Sequence, residues 1–341
     1  MRNARGLERF RRLCACAVVS LPLAVVAVGM PSPGALALAA QPAVPPPGGA
    51  GLQMAQGAAV ATTSDGKTIS IQLDDSRAIV YRHGEVPAKP YVAELRTPGG
   101  AQVLLDAPAD HPHHHGLMLA FGVDGVNFWA EGAGKGRQEN VELGGVEGTA
   151  VDSRFSAALG QKLAWKEPSE SKTLLVEERS IRLDQPAGAN YRLVTWSSRL
   201  ALPQGKDKAV LSGSHYFGLG LRFIPAFDGG KFFNSEGNLG EIVRGEERLG
   251  AARWCAATAT VEGRPVTVAM FDHPDNPRHP ARFFTMAKPF AYLSATLNVW
   301  KMPLEVTPEK PLELRYGVLL ADGELTAEMI DAIYQPWAST R

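Results

Sequence analysis

Residues 312–320 read LELRYGVLL. Leu312, Leu314, Tyr316, Val318 and Leu320 share one parity, and Glu313 and Arg315 take the other. Apolar side chains that recur every second residue mark a strand with one buried face, because successive β-carbons point to opposite sides of a sheet. Working outward, TISIQL (68–73), LLVEERSIRL (174–183), YRLVTWSSRL (191–200), PVTVAMF (265–271) and AYLSATLNVW (291–300) are further runs of this kind. Turn-forming clusters such as TPGG, QPAGAN, FDGG and HPDNP punctuate the chain. Many short strands divided by Gly and Pro predict an all-β fold, a large antiparallel β-sandwich. One stretch, LTAEMIDAIYQPW (325–337), reads as a short C-terminal helix. Thr326 is its expected cap, Met329, Ile330 and Ile333 its apolar stripe, and Pro336 its end. With no internal repeat and no shift of composition after residue 60, a single domain is expected over 61–341.

The first forty residues have the layout of a secretory signal peptide: an Arg-rich start, the apolar run LCACAVVSLPLAVVAVGM and small residues near Ala37 to Ala40. Cleavage there implies export to the periplasm or the exterior of a bacterium; the alternative is retention as an anchor. Residues 41–60 are rich in Pro, Gly and Ala and read as a linker. Loss of the leader removes Cys14 and Cys16 and leaves Cys255 alone, so no internal disulfide is expected. The basic leader balances a mildly acidic remainder at zero formal net charge. No concentrated basic face points to nucleic acid, and no apolar run after the leader reaches membrane-spanning length.

Chemistry concentrates in DHPHHHGLMLAFGVDGVNFW (110–129), which holds four of the eight histidines. Imidazole is both a common metal ligand and the acid or base most easily used near neutral pH. Three readings stand open: a metal site on His113 and His115 for one divalent ion, acid–base chemistry by His113 or His114, or a solvated polar turn before a strand. Asp110 would support the imidazoles or a ligand. Asn127 beside Trp129 is a pairing that holds sugars, ring against ring face and amide against hydroxyl; a packed core Trp is the alternative. FDHPDNPRHP (271–280) repeats the Asp-His-Pro triplet and offers His273 and Arg278 on a Pro-stiffened loop; a tight loop whose polar residues only cap its own backbone is the equal alternative. FFNSEGNLGE (232–241) presents Asn234 and Glu236, or forms a plain turn. In LLVEERS, Glu178 takes the face opposite Glu177 and Arg179; buried, it would have the raised pKa that acid–base work needs, while a solvated sheet face is the commoner outcome for such a run. Arg222 in GLGLRF can clamp hydroxyls or a carboxylate, or form only a surface ion pair. Phosphate-loop, dinucleotide and Ser-elbow signatures are lacking.

The order of DHPHHHGLMLAFGVDGVNFW, EERS, FGLGLRF, NSEGN, FDHPDNPRHP and LRYGVLLADGEL resembles the bacterial PmoA-like family, a domain of unknown function labelled "methane oxygenase PmoA", from about Tyr91 to Glu324. The resemblance implies an exported sandwich of the galactose-mutarotase type, often found beside sugar-processing oxidoreductases. The particulate methane monooxygenase subunit of that name is an integral membrane protein, which the hydropathy here does not match. The chain departs from the pattern in three places. His115 stands where many relatives have Arg, SHYF (214–217) replaces an acidic and basic pair, and a His after the Trp is missing.

The expectation is therefore a carbohydrate-active protein acting on a small-molecule or oligosaccharide substrate. His113 or His114 would be the acid or base, and Glu178 or Glu236 the partner carboxylate. Asp110, Asn127, Arg222, Asn234, His273 and Arg278 would bind the sugar, Trp129 would stack, and a divalent metal would polarise a carbonyl. The reaction would be an epimerisation, elimination or hydrolysis. A non-catalytic carbohydrate-binding or envelope protein is the alternative, and a metal-dependent oxygenase the third.

Overall fold

The opening alternation is realised as the strand Leu312–Asp322. Its even-numbered residues Leu312, Leu314, Tyr316, Val318 and Leu320 enter the main core, while Leu319 and Ala321 face a second apolar cluster on the sheet's other side. A computed structural model describes residues 53–55, 58–73 and 76–340 of the chain. The leader and the linker up to residue 52 lie outside the described residues. The first strands, Gln53–Ala55 and Ala58–Ser64, begin earlier than the expected start near residue 61.

Two large sheets carry the fold, and every strand pair in them is antiparallel. One has eight strands. Leu312–Asp322 sits near its centre between Arg264–Asp272 and Tyr191–Ala201, and Thr173–Gln185, Arg154–Lys166 and Arg137–Val151 follow outward. The other has eleven. Its middle runs Tyr91–Leu95, Leu117–Ala120, Gly218–Arg222, Tyr292–Thr296, Arg282–Met286. Residues from both sheets share one core, including Leu119, Leu221 and Leu293 from the second and Trp196, Val318 and Leu320 from the first. Among the described residues the architecture is thus an all-β antiparallel sandwich with one short α-helix. Single-face alternation gives the half-buried strands, and closing two such faces on each other removes them from water.

The helix spans Ala327–Ala338, and the Thr326 side chain accepts the Met329 N–H as expected. Its buried stripe is Ile330, Tyr334 and Trp337, however, and Met329 is exposed. Pro336 lies inside the last turn, not after it. The stripe packs on Trp254, Phe271, Leu319 and Ala321, which explains why the strand Leu312–Asp322 is buried on both faces in its second half. No described helix is long and apolar enough to cross a membrane.

Candidate functional site

The histidine segment is a loop that enters the strand Leu117–Ala120 of the eleven-stranded sheet. Backbone bonds from Ala107 N–H to the His114 carbonyl and from His114 N–H to the His111 carbonyl fold it tightly. Gly116 anchors its end at φ 38°, where a β-carbon would stand 2.1 Å from the Val92 carbonyl oxygen. Only glycine fits such a left-handed, close-packed position. The loop therefore presents consecutive histidines in different directions instead of alternating them as an extended chain would.

His115 is turned inward. It stacks on Tyr91 with ring centres 4.3 Å apart. Its Nδ1 lies 2.7 Å from Asp106 Oδ1 and its Nε2 2.9 Å from Glu131 Oε1. Glu131 also takes the ammonium of the fully buried Lys89 at 2.9 Å, and Asp106 accepts the Tyr91 hydroxyl at 3.0 Å and faces Arg82. Burial opposes charge on His115, but the bonds to the two carboxylates outweigh it and raise its pKa. Burial likewise opposes charge on Glu131, yet His115 and Lys89 hold it down to about 2. The two carboxylates thus favour the protonated form of His115. The nitrogens of His115, one of the two expected metal ligands, lie 2.7 and 2.9 Å from carboxylate oxygens of Asp106 and Glu131. Among the described residues, no group of three or more His, Cys, Asp or Glu could hold a metal ion.

His113 and His114 are held neutral. Burial lowers the pKa of His113, helped by the charges of Lys89 and His111. Burial takes His114 down to about 3, with His113 and His111 adding to it. His113 is half-buried, edge-on to His114 at 4.7 Å. His114 sinks into an aromatic layer on the sheet: Tyr292 at 5.0 Å, Phe290 at 5.7 Å and Trp129 at 6.3 Å between ring centres. Trp129 stacks on Phe217 at 5.0 Å and 9° and meets Tyr216 and Tyr292 at steeper angles. Gly220 makes this layer possible, since a β-carbon there would fall 2.1 Å from the Tyr292 hydroxyl and 2.8 Å from the Trp129 ring. Arg222, the cross-strand neighbour of Tyr292, is buried with its guanidinium 3.5 Å over Phe290 and one nitrogen 3.3 Å from Asp110.

Polar atoms in this layer lack partners. Trp129 Nε1, the Tyr292 hydroxyl, His114 Nδ1 and Arg222 Nε and Nη1 are all buried with no hydrogen-bond partner among the described residues. Folded proteins rarely leave such groups unsatisfied, and a cluster of them marks a place where something else completes the bonding.

A titration follows from His114. Between its ordinary value of 6.5 and about 3 the unfolded chain takes up a proton that the folded one refuses, so stability falls as pH falls below 6.5. The expected loss from this residue is about 2 kcal/mol at pH 5. His115 acts oppositely: its contribution is fully present below pH 6.5 and is lost as pH rises through its raised folded value. In urea melts, H114F should flatten the stability slope between pH 6.5 and 5 by that amount. Other histidines lowered by burial, His83, His113 and His273, keep a residual slope of the same sign. An unchanged slope in H114F would refute the assignment.

The remaining expected residues sit elsewhere. Glu178 is outward and exposed, 4.0 Å from Arg199. The inward face of its strand belongs to Glu177 and Arg179, so the expected buried carboxylate is the neighbouring one. Glu236 is exposed beside Arg253 and Ser235. Asn234 spends its amide on its own turn, accepting the N–H groups of Glu236 and Asn238 and donating to the Asn238 carbonyl. Asn127 accepts from the N–H groups of Trp129 and Ala130, which fixes the Trp but leaves no amide oxygen for a sugar. The second Asp-His-Pro loop is a structural knot. His273 bonds to the Thr340 carbonyl and packs on Trp337, Asp272 holds His279, Asn276 and the Ala281 N–H, and Arg278 binds the carbonyls of Leu297, Met302 and Pro303. The structure brings together His113, His114, Asp110, Trp129 and Arg222 and adds Lys89, Tyr91, Asp106, Glu131, Phe290 and Tyr292, which sequence reasoning missed. The nearest signal was Glu131, two residues beyond Trp129; the others come from distant strands.

Residues 68–335 match the profile described as "Family of unknown function (DUF6807)". The chain belongs to this family. No curated protein matches it. Among solved structures, this DUF6807 member is similar to the GH36 α-galactosidase AgaB of Geobacillus stearothermophilus, with 10% identity and a TM-score of 0.44 over 79% of this chain and 42% of that one. It is also similar to the α-galactosidase of Lactobacillus brevis, with 7% identity and a TM-score of 0.42 over 79% and 40%. A Klebsiella pneumoniae subsp. pneumoniae protein designated an aldose 1-epimerase shows 10% identity and a TM-score of 0.44 over 83% and 88%. The DUF6807 chain spans less than half the length of the galactosidases.

Proposed function

We propose that the aromatic and histidine layer on the eleven-stranded sheet binds a carbohydrate and moves a proton next to its carbonyl or anomeric carbon. The observation that carries this reading is the set of unpartnered buried groups on Trp129, Tyr292, His114 and Arg222. Most are donors, and they are embedded in aromatic rings. A sugar meets both demands, with oxygens for the donors and an apolar ring face for the indole. Neutral His113 is the base. Arg222 and the Tyr292 hydroxyl, whose proton burial holds firmly, supply the bonds that stabilise developing negative charge on the substrate oxygen. His115, held between Asp106 and Glu131, fixes the loop.

This arrangement supports an isomerase or lyase more than a glycosidase. Hydrolysis of a glycosidic bond uses a carboxylic acid kept protonated beside a free carboxylate. Asp106 and Glu131 are both held ionised and both engaged by His115. The Arg-rich, apolar start supports export, and the order of the Asp-His-Pro segments supports kinship with the PmoA-like proteins.

The test is binding of monosaccharides, oligosaccharides and keto-glycosides by the protein and by W129F and R222M, with products followed by proton NMR. Binding with turnover is the expected result, with at least a tenfold loss of affinity in R222M. Binding without turnover at any pH from 5 to 9 would favour a carbohydrate-binding protein instead. Absence of any binding would overturn the reading.

A further inference from the structure

The aromatic layer does not stop at Trp129. From Tyr216, which meets Trp129 at 5.4 Å, it continues to His215 at 5.1 Å and from there to Trp300 at 5.6 Å. Phe284 fills the angle between Tyr216, His215 and Tyr292. At this far end the character changes. Trp300 is 37% exposed, whereas Trp129 is 2% exposed. The Lys301 ammonium stands 4.8 Å from the Trp300 ring.

Polar groups are built around this indole. His215 Nε2 lies 3.0 Å from Glu247 Oε2, and the other oxygen of Glu247 takes Arg244 at 2.6 Å. The Ser214 hydroxyl is 3.3 Å from His215 Nδ1. Asn298 begins the turn that carries Trp300, with its carbonyl accepting from the Lys301 and Met302 N–H groups. Asn298 is buried, 8% exposed as a residue, and its amide oxygen has no partner among the described residues. An exposed indole beside an unpartnered, buried amide and a hydrogen-bonded imidazole repeats the chemistry of the Trp129 end.

We infer that Trp300, His215 and Asn298 form a second sugar position, so that the substrate has at least two rings: a disaccharide or longer glycoside, not a free monosaccharide. The inference rests on the carbohydrate reading given above. The reacting ring would lie over His114 and Trp129, and the second ring would stack on Trp300 with its hydroxyls toward Asn298 and His215. An exposed indole accepts a ring without rearrangement of the core, and each stacked, hydrogen-bonded ring adds binding that a single ring lacks.

The experiment uses the full chain on a glycan array that carries each terminal sugar both alone and as the end of a disaccharide, read by labelled protein and repeated with W300A and with the conservative W300F. The expected result is at least tenfold stronger binding of one disaccharide over its terminal monosaccharide. W300A should bring that ratio close to one without weakening the monosaccharide, and W300F should restore most of it. Equal binding of the single and double sugars, or a ratio that W300A leaves intact, overturns the second position while the carbohydrate reading stands. Silence of the wild-type protein toward every glycan overturns the carbohydrate reading itself, and this inference with it.

Discussion

E177A should lower the unfolding free energy by about 3–5 kcal/mol, the cost of leaving a buried charge without its partner. Glu177 and Arg179 are two residues apart on the inward face of one strand, and both side chains are fully buried. The guanidinium donates to both carboxylate oxygens at 2.8 and 2.9 Å. The carboxylate also accepts from the Trp165 indole and the Ser198 hydroxyl, and Arg179 lies over the Trp196 ring and donates to Gln138 and the Pro90 carbonyl. Removing Glu177 strands all of these donors at once. The Pro90 contact carries the effect toward the site, because Lys89 and Tyr91 flank it and both hold the His115 network. A double change to apolar residues of similar volume, E177L with R179M, should recover much of the loss, since a buried ion pair repays its desolvation only when complete. Urea unfolding of the three proteins measures this. A loss below about 1 kcal/mol in E177A would mean that the pair contributes no more than a surface bridge.

H113Q should lose turnover of the sugar by roughly 10²–10⁴-fold while binding it nearly as well as the parent protein, the usual contribution of a positioned base. The pH profile separates this role from a structural one. Burial and the neighbouring cations keep the His113 pKa below 6.5, so activity should rise with pH through a value below 6.5 and be flat at neutrality. It should fall again where His115, whose pKa is raised, loses its proton and the carboxylate pair its cation. In H113Q the acid limb should vanish and the alkaline limb remain. A variant that keeps the acid limb at reduced rate would assign the base elsewhere.

Several features were legible before any coordinates. The strand alternation at 312–320, the capped helix after Thr326 and the histidine segment as the place of interest all depend on local periodicity or composition. The helix shows the limit of that reading. Its buried stripe fell on Tyr334 and Trp337 because the strands Trp254–Val261 and Arg264–Asp272 offer Trp254 and Phe271 there, which no pattern within the helix contains. Glu178 faces solvent for a related reason. A run of charged residues gives the parity of a strand but not its sign, and the inward face was set by Trp165 and Ser198 on neighbouring strands. The second Asp-His-Pro loop looked like a copy of the first, yet Asp272 is consumed by its own loop while Asp110 meets Arg222 from another strand.

The sequence by itself determined that this chain is a β-sandwich with a polar cluster at residues 110–115. Alternation and turn residues are local properties that each segment carries alone. The sequence also placed His115 at the end of the histidine run, without deciding what surrounds it. Only the tertiary structure decided it, by bringing Asp106 and Glu131 to either side of the ring. Held between two carboxylates, the imidazole has its protonated form favoured over that of a free histidine. A pKa depends on charges and burial in space, and the residues that set this one come from three separate segments of the chain.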